Sequence, residues 1–91
     1  MYWIYVLECG DDKSWYIGYT SNLKRRLEQH NNGYGGKTTS RIAKQRGEAL
    51  PWKLIYCEGY LNIRDAKGRE IFLKSGSGRR FLKKQLANYL S

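Results

Sequence analysis

Trp3-Ile4-Tyr5 and Tyr16-Ile17-Gly18, separated by ten residues, lead into Ser21-Asn22-Leu23-Lys24-Arg25-Arg26-Leu27-Glu28-Gln29-His30-Asn31, and most of the architecture can be worked out from this stretch. Tyr2 to Glu8 is rich in β-branched and aromatic residues, and Trp15 to Thr20 repeats that character. Gly10-Asp11-Asp12-Lys13 between them is turn chemistry, so the two runs predict an antiparallel hairpin. Ser21 or Asn22 can cap the next segment, where Leu23, Arg26, Leu27 and His30 fall at i, i+3, i+4 and i+7 on one stripe of a short helix. Asn31-Asn32-Gly33 stops that helix. Directly opposite residues on one face of paired strands lie about 5 Å apart, so Tyr5 and Tyr16 are expected side by side with converging hydroxyls. A helix folded back over the hairpin brings Arg26 and His30 toward them.

Residues 34–50 carry glycines, threonines and scattered bases without clean periodicity. They read as a mobile basic loop with one helical turn around Ser40 to Gln45, suited to touching a substrate. Pro51 precedes Trp52-Lys53-Leu54-Ile55-Tyr56-Cys57, a third strand. Asn62 caps a helix from Ile63 to about Lys74, with Asp65 at the positive end of its dipole. Ser75-Gly76-Ser77-Gly78 reads as a break before a last helix from about Arg79 to Leu90, whose apolar stripe is Phe81, Leu82, Leu86, Tyr89 and Leu90. The expected architecture is α/β of the α+β kind: a three-stranded antiparallel sheet flanked by helices, in the order β-β-α-β-α-α, as one domain over residues 1–91.

Ninety-one residues allow one modest core, and 41% hydrophobic residues with 14% aromatics exclude a disordered chain. The longest apolar stretches, such as Tyr2 to Leu7, are far shorter than the roughly 20 residues that cross a bilayer. With no signal-like start, a cytoplasmic protein without membrane contact is expected. Seventeen Lys and Arg against eight Asp and Glu give a formal charge of +9, which favours a polyanion, nucleic acid first and an acidic protein second. Cys9 and Cys57 lie in separate segments and the chain has one histidine, so no C-x-x-C pair or four-ligand zinc site can be assembled. Both cysteines are read as reduced, half-buried strand residues.

Two tyrosines, an arginine and a histidine in one hairpin-plus-helix unit can handle a phosphodiester. Hydrolysis needs a base near the attacking water, positive charge on the developing oxyanions, and usually a divalent metal. Glu70 is the carboxylate of choice, at i+7 from Ile63 and i+4 from Ala66 on the sheet-facing side of its helix, with no Lys or Arg partner expected there. Singly, each of these residues is more often structural: strand tyrosines pack, helix arginines are solvated, and a lone histidine holds a core together. The set and its spacing carry the reading.

That ordered set resembles the GIY-YIG nuclease superfamily, and in particular small standalone relatives of the nuclease module found in the bacterial excision-repair endonuclease. The resemblance covers nearly the whole chain. Tyr5 matches the tyrosine of the first triplet, Tyr16-Ile17-Gly18 is the second triplet intact, Arg26 falls at the family's arginine, and His30-Asn31 matches a histidine many members carry. Glu70, in Asp65-Ala66-Lys67-Gly68-Arg69-Glu70, matches the metal-binding glutamate. Trp3 replaces the glycine of the first triplet, and Tyr19 stands where the excision-repair modules carry a lysine that assists the tyrosine.

The resemblance implies a metal-dependent endonuclease cleaving DNA, with Mg²⁺ or Mn²⁺ held by Glu70. It gives Tyr5 or Tyr16 the task of orienting or deprotonating water, Arg26 that of stabilising the phosphate, and His30 that of supporting the tyrosine or the phosphate. Lys24, the loop bases Lys37, Arg41, Lys44 and Arg46, and Arg79, Arg80, Lys83 and Lys84 of the last helix are expected to hold flanking phosphates without reading sequence. The implied substrate is branched, single-stranded or damaged DNA in repair or recombination, met by a monomer. The alternatives are a nucleic-acid-binding module that has kept the nuclease fold without turnover, and a basic protein-interaction domain.

Overall fold

The structure is a computed structural model that describes residues 1–10, 12–31 and 52–91. Strands β1 (Tyr2–Cys9), β2 (Trp15–Thr20) and β3 (Trp52–Tyr60) form one antiparallel sheet in the order β2-β1-β3. Because β1 is central and has helices on both faces, every residue from Ile4 to Cys9 is buried. Its alternate side chains serve two cores. Ile4 and Val6 join Ile17 beneath Ala66, Leu73 and Leu82, while Tyr5, Leu7 and Cys9 join Trp52, Leu23 and Leu27 on the other face. Full burial of such a side chain contributes about 1.5–3 kcal/mol, so these two small cores dominate the fold's stability.

Helix α1 (Leu23–Asn31) covers the Tyr5 face, and α2 (Ile63–Lys74) with α3 (Gly76–Gln85) covers the other. The expected α+β order β-β-α-β-α-α is observed, with the last helix divided at Leu86 so that a single turn, α4 (Ala87–Leu90), follows. Asn22, rather than Ser21, caps α1 by accepting from the Arg25 N–H at 3.1 Å. Asn62 caps α2 by accepting from the Arg64 N–H at 2.8 Å. The bounds of α2 are those the sequence predicts.

Three expectations are corrected. The break at residues 75–78 is confined to Ser75, whose hydroxyl donates to the Phe72 carbonyl at 2.6 Å and accepts from the Gly78 N–H at 3.1 Å, so that α3 begins at Gly76. Gly78 makes the corner possible: a Cβ there would lie 1.9 Å from the Phe72 carbonyl oxygen. Strand β3 runs three residues beyond Cys57, to Tyr60. Its register shifts between Val6 and Leu7, where Ile55 is the extra residue, and the bulge lets Ile55 and Tyr56 both join the α2 and α3 core. Finally, neither cysteine is half-buried, since Cys9 lies in the core and Cys57 is exposed; both are free thiols.

The basic loop expected over residues 34–50 lies outside the described residues, as do Lys37, Arg41, Lys44 and Arg46. Among the described residues no helix is long and apolar enough to cross a membrane.

Candidate active site

Tyr5 stands on the α1 face of the central strand, opposite Gly18. Leu7 is opposite Tyr16, so the two tyrosines share a face as diagonal neighbours and are not directly opposed, with ring centroids 6.3 Å apart. The difference is a register of two residues, set by the turn. Gly18 leaves the space into which the Tyr5 phenol lies.

Helix α1 lays Arg26 and His30 over this pair, one turn apart on its inward stripe. The Tyr5 hydroxyl is 3.0 Å from His30 Nε2 and 3.4 Å from Arg26 Nε. An arginine can only donate, so the phenol oxygen accepts from Arg26 and shares a second hydrogen bond with His30 Nε2. The Tyr16 ring packs on His30 at 4.7 Å between centroids. Arg26 is fixed from its other side by Gln29, whose Oε1 accepts from Nη1 at 3.1 Å. Behind the site, the Asn31 amide clamps the start of β3, accepting from the Trp52 N–H at 2.6 Å and donating to the Trp52 carbonyl at 3.2 Å.

Burial and the arginine set the protonation states. Desolvation, and then the charge of Arg26, push His30 down to about 4, so the imidazole is neutral at pH 7. Desolvation pushes the Tyr5 phenol up to about 12 despite the hydrogen bond from Arg26, and the negative charge of Glu70 adds to that push. The Tyr5 hydrogen bond, against desolvation, raises Arg26, and Tyr16 contributes more weakly in the same direction. The cluster is therefore a fixed cation braced by a neutral phenol and a neutral imidazole.

Arg26 is the member that meets solvent. It forms part of the wall of an open cavity of about 370 Å³ where β2 passes into α1, together with Tyr19, Thr20, Asn22, Gln29 and Ile63. Arg25 lines the same cavity. Gly18, Arg25 and Gln29 join the site without having been expected there; Gln29 was findable at i+3 from Arg26, and Gly18 from its place across the hairpin.

Glu70 lies on the inward half of α2, with its side chain 19% exposed, and its charge reaches Tyr5. The expectation that it has no basic partner is corrected: Lys74, one turn on, pairs with it at 3.4 Å. That lysine is 55% exposed, so the pair is a weak, solvent-screened one. Among the described residues no three His, Cys, Asp or Glu side chains gather as a metal cluster. A lone carboxylate still suits a hard cation of the Mg²⁺ kind, which keeps several waters and completes its shell with phosphate oxygens. A second inward carboxylate, Glu58 of β3, is fully engaged. It receives two hydrogen bonds from Arg69, at 2.8 and 3.0 Å, and others from the Tyr56 and Tyr60 hydroxyls, which hold it below the usual carboxylate range despite desolvation.

Among the described residues, the expected phosphate contacts do not form one surface. Lys24 is exposed on α1, whereas Arg79, Arg80, Lys83 and Lys84 are exposed on α3, over the opposite face. The Arg79 guanidinium sits 5.8 Å from the Trp15 ring, at the turn end of the hairpin, and Arg80 donates to Ser77 Oγ at 3.0 Å.

Comparison with known proteins agrees with this geometry. A family model described as the GIY-YIG catalytic domain matches residues 1–85. A UPF0213 protein of Clostridium perfringens is 43% identical over 74 residues, covering 81% of this chain and 71% of the relative. A UPF0213 protein of Pediococcus acidilactici is 43% identical over 82 residues, covering 90% and 78%, and one of Streptococcus agalactiae is 40% identical over 72 residues, covering 79% and 73%. No solved structure matches.

Proposed function

The chain belongs to the GIY-YIG family, a nuclease-type family, and from that membership we propose that it is a metal-dependent endonuclease that hydrolyses DNA phosphodiester bonds. The observation that carries the proposal is the Tyr5 hydroxyl joined to both Arg26 and His30. A buried neutral relay that ends on a solvent-facing guanidinium has no need to exist for packing alone. It is what a preorganised oxyanion donor requires.

In this reading Arg26 donates to the non-bridging phosphate oxygens. Tyr5 and Gln29 occupy two of its five N–H donors and Tyr16 draws more weakly on the guanidinium, which leaves donors for the substrate. Tyr5, protonated up to a pKa of about 12, is a positioning residue and a poor base. His30 holds Tyr5 in place. Tyr16, less buried than Tyr5, is the tyrosine that orients the attacking water. Glu70 would hold Mg²⁺ or Mn²⁺, which when bound supplies charge to the phosphate and the leaving oxygen.

The +9 charge supports contacts to phosphate that ignore base sequence, and so a substrate chosen by structure: branched, single-stranded or damaged DNA, in repair or recombination within the cytoplasm. The test is nicking of supercoiled, branched and single-stranded DNA by the purified protein on addition of Mg²⁺ or Mn²⁺. Nicking that requires the metal is expected. The Glu70–Lys74 ion pair favours one second reading, a nucleic-acid-binding module whose carboxylate is already neutralised. Binding to the same DNAs with no nicking under any metal would decide for it.

A further inference from the structure

At the turn end of the hairpin, away from Arg26, an open cavity of about 540 Å³ is built from Glu8, Trp15 and Tyr89 under a rim of Lys13, Arg79 and Lys83. Its volume lies within the roughly 300–1,000 Å³ of small-ligand sites. Glu8 belongs to the floor and is 5% exposed. Its carboxylate accepts from Trp15 Nε1 at 3.0 Å and from the Tyr89 hydroxyl at 2.7 Å. These hydrogen bonds, with the charges of Lys13 and Lys53, outweigh desolvation and keep it ionised. Each of its oxygens retains a lone pair after one such bond. Two aromatic side chains stand beside it, Trp15 with the Arg79 guanidinium 5.8 Å from its ring and Tyr89 with the Lys53 ammonium at 5.2 Å.

Three cations facing one buried carboxylate do not suit a bare anion, which the carboxylate would repel. They suit a ligand that is anionic at one end and rich in N–H donors at the other, with a flat apolar body between. We propose that this cavity binds a single unpaired nucleotide of the nucleic-acid strand, with the base against Trp15, Tyr89 and Glu8 and the phosphate against Arg79, Lys83 and Lys13. Guanine is the preferred base, because its N1–H and N2–H are two parallel donors that match the two oxygens of a carboxylate, whereas thymine offers one N–H between two repelling carbonyls. Tyr2, in the wall of the Arg26 cavity, and Glu8 are six residues apart on β1, or about 20 Å. A strand anchored here therefore extends a few nucleotides from its anchor to the cleavage position.

The inference rests on the nucleic-acid reading of the protein, but its test requires no turnover. The intact protein, with divalent metal chelated, is titrated with an all-thymine pentanucleotide and with the same pentanucleotide carrying one central guanine, and tryptophan fluorescence is followed. The guanine oligonucleotide is expected to bind about tenfold more tightly, the worth of one good bidentate base contact. The quench should vanish in Trp15→Phe, where Trp3 and Trp52 still report folding, and Glu8→Gln should remove the guanine preference. Should Glu8→Gln fail to fold, the wild-type protein decides with inosine in place of the guanine: inosine lacks the N2–H donor and should lose most of the preference, and inosine bound as tightly as guanine overturns the contact. Equal affinity for the two oligonucleotides overturns the proposal, as does a quench that survives Trp15→Phe or equal competition by an oligoglutamate peptide. Metal-dependent nicking without guanine preference would sink the pocket and leave the nuclease reading intact, and the reverse result would do the opposite.

Discussion

Gly18 lies directly across the sheet from Tyr5, and a Cβ placed on it would fall 2.6 Å from the Tyr5 hydroxyl oxygen and 2.9 Å from Cζ, with Tyr16 Cε1 at 3.1 Å. The glycine of the second triplet is thus the floor on which both phenols rest. Its necessity is steric. Gly18→Ala should keep the strand but push Tyr5 off its bonds to His30 and Arg26, at a cost of about 1–3 kcal/mol, typical of overpacking. Cleavage should fall with it. Denaturant unfolding and a nicking assay check both effects, and wild-type values in the two would refute the assigned geometry.

His30 makes stability depend on pH in a window of its own. Its folded pKa, about 4, lies below its ordinary 6.5, so the unfolded chain takes up the proton first as pH falls. The stabilisation is complete above 6.5 and is lost between 6.5 and about 4, amounting to about 3 kcal/mol. Glu8 and Glu58, held below the usual carboxylate value of 4.5, act only at lower pH. Urea unfolding of wild type and His30→Gln between about pH 7 and 5.5, above the carboxylate range, should show a slope in the first that is absent in the second. A wild type flat over that range would mean that His30 is not neutral and buried in solution.

Arg26→Ala should lose about 10²- to 10³-fold in cleavage, as for removal of one preorganised donor, while keeping its fold, because the guanidinium reaches solvent. Gln29→Ala should lose less, since it frees the guanidinium without removing it. Single-turnover cleavage alongside circular dichroism separates the two effects. An Arg26→Ala protein that unfolds, with activity per folded molecule unchanged, would make the arginine structural.

Much of this site is legible in the sequence because local spacing governs it. The i, i+3, i+4, i+7 stripe of Leu23, Arg26, Leu27 and His30 puts the arginine and histidine over the hairpin, and the caps Asn22 and Asn62 mark where helices begin. What escapes depends on tertiary packing. The glycines at 76 and 78 have low helix propensity and read as breakers, yet the Ser75 cap and the close approach of Gly78 to the Phe72 carbonyl draw them into α3. The diagonal placement of Tyr5 and Tyr16 follows from a turn register that composition does not encode. The bulge at Ile55 needs a partner strand far away in the chain, and the network around Glu58 needs Arg69 of α2 folded onto the strand that carries Tyr56 and Tyr60. The Glu70–Lys74 pair, by contrast, is readable at the i, i+4 spacing, although the inward position of Glu70 argued against a partner.

Whether Glu70 and Arg26 serve one metal-dependent cleavage site is decided by a paired measurement of DNA affinity and nicking for wild type and Glu70→Gln. Glutamine keeps the size of the side chain and removes its charge, and with it the means to hold a cation beside phosphate. Wild type should nick supercoiled DNA only when Mg²⁺ or Mn²⁺ is present, and Glu70→Gln should bind the same DNA at least as tightly without nicking it. Nicking by Glu70→Gln at close to the wild-type rate would remove the metal from Glu70, and a wild type that binds but stays inactive across metals and DNA structures would remove cleavage from the protein.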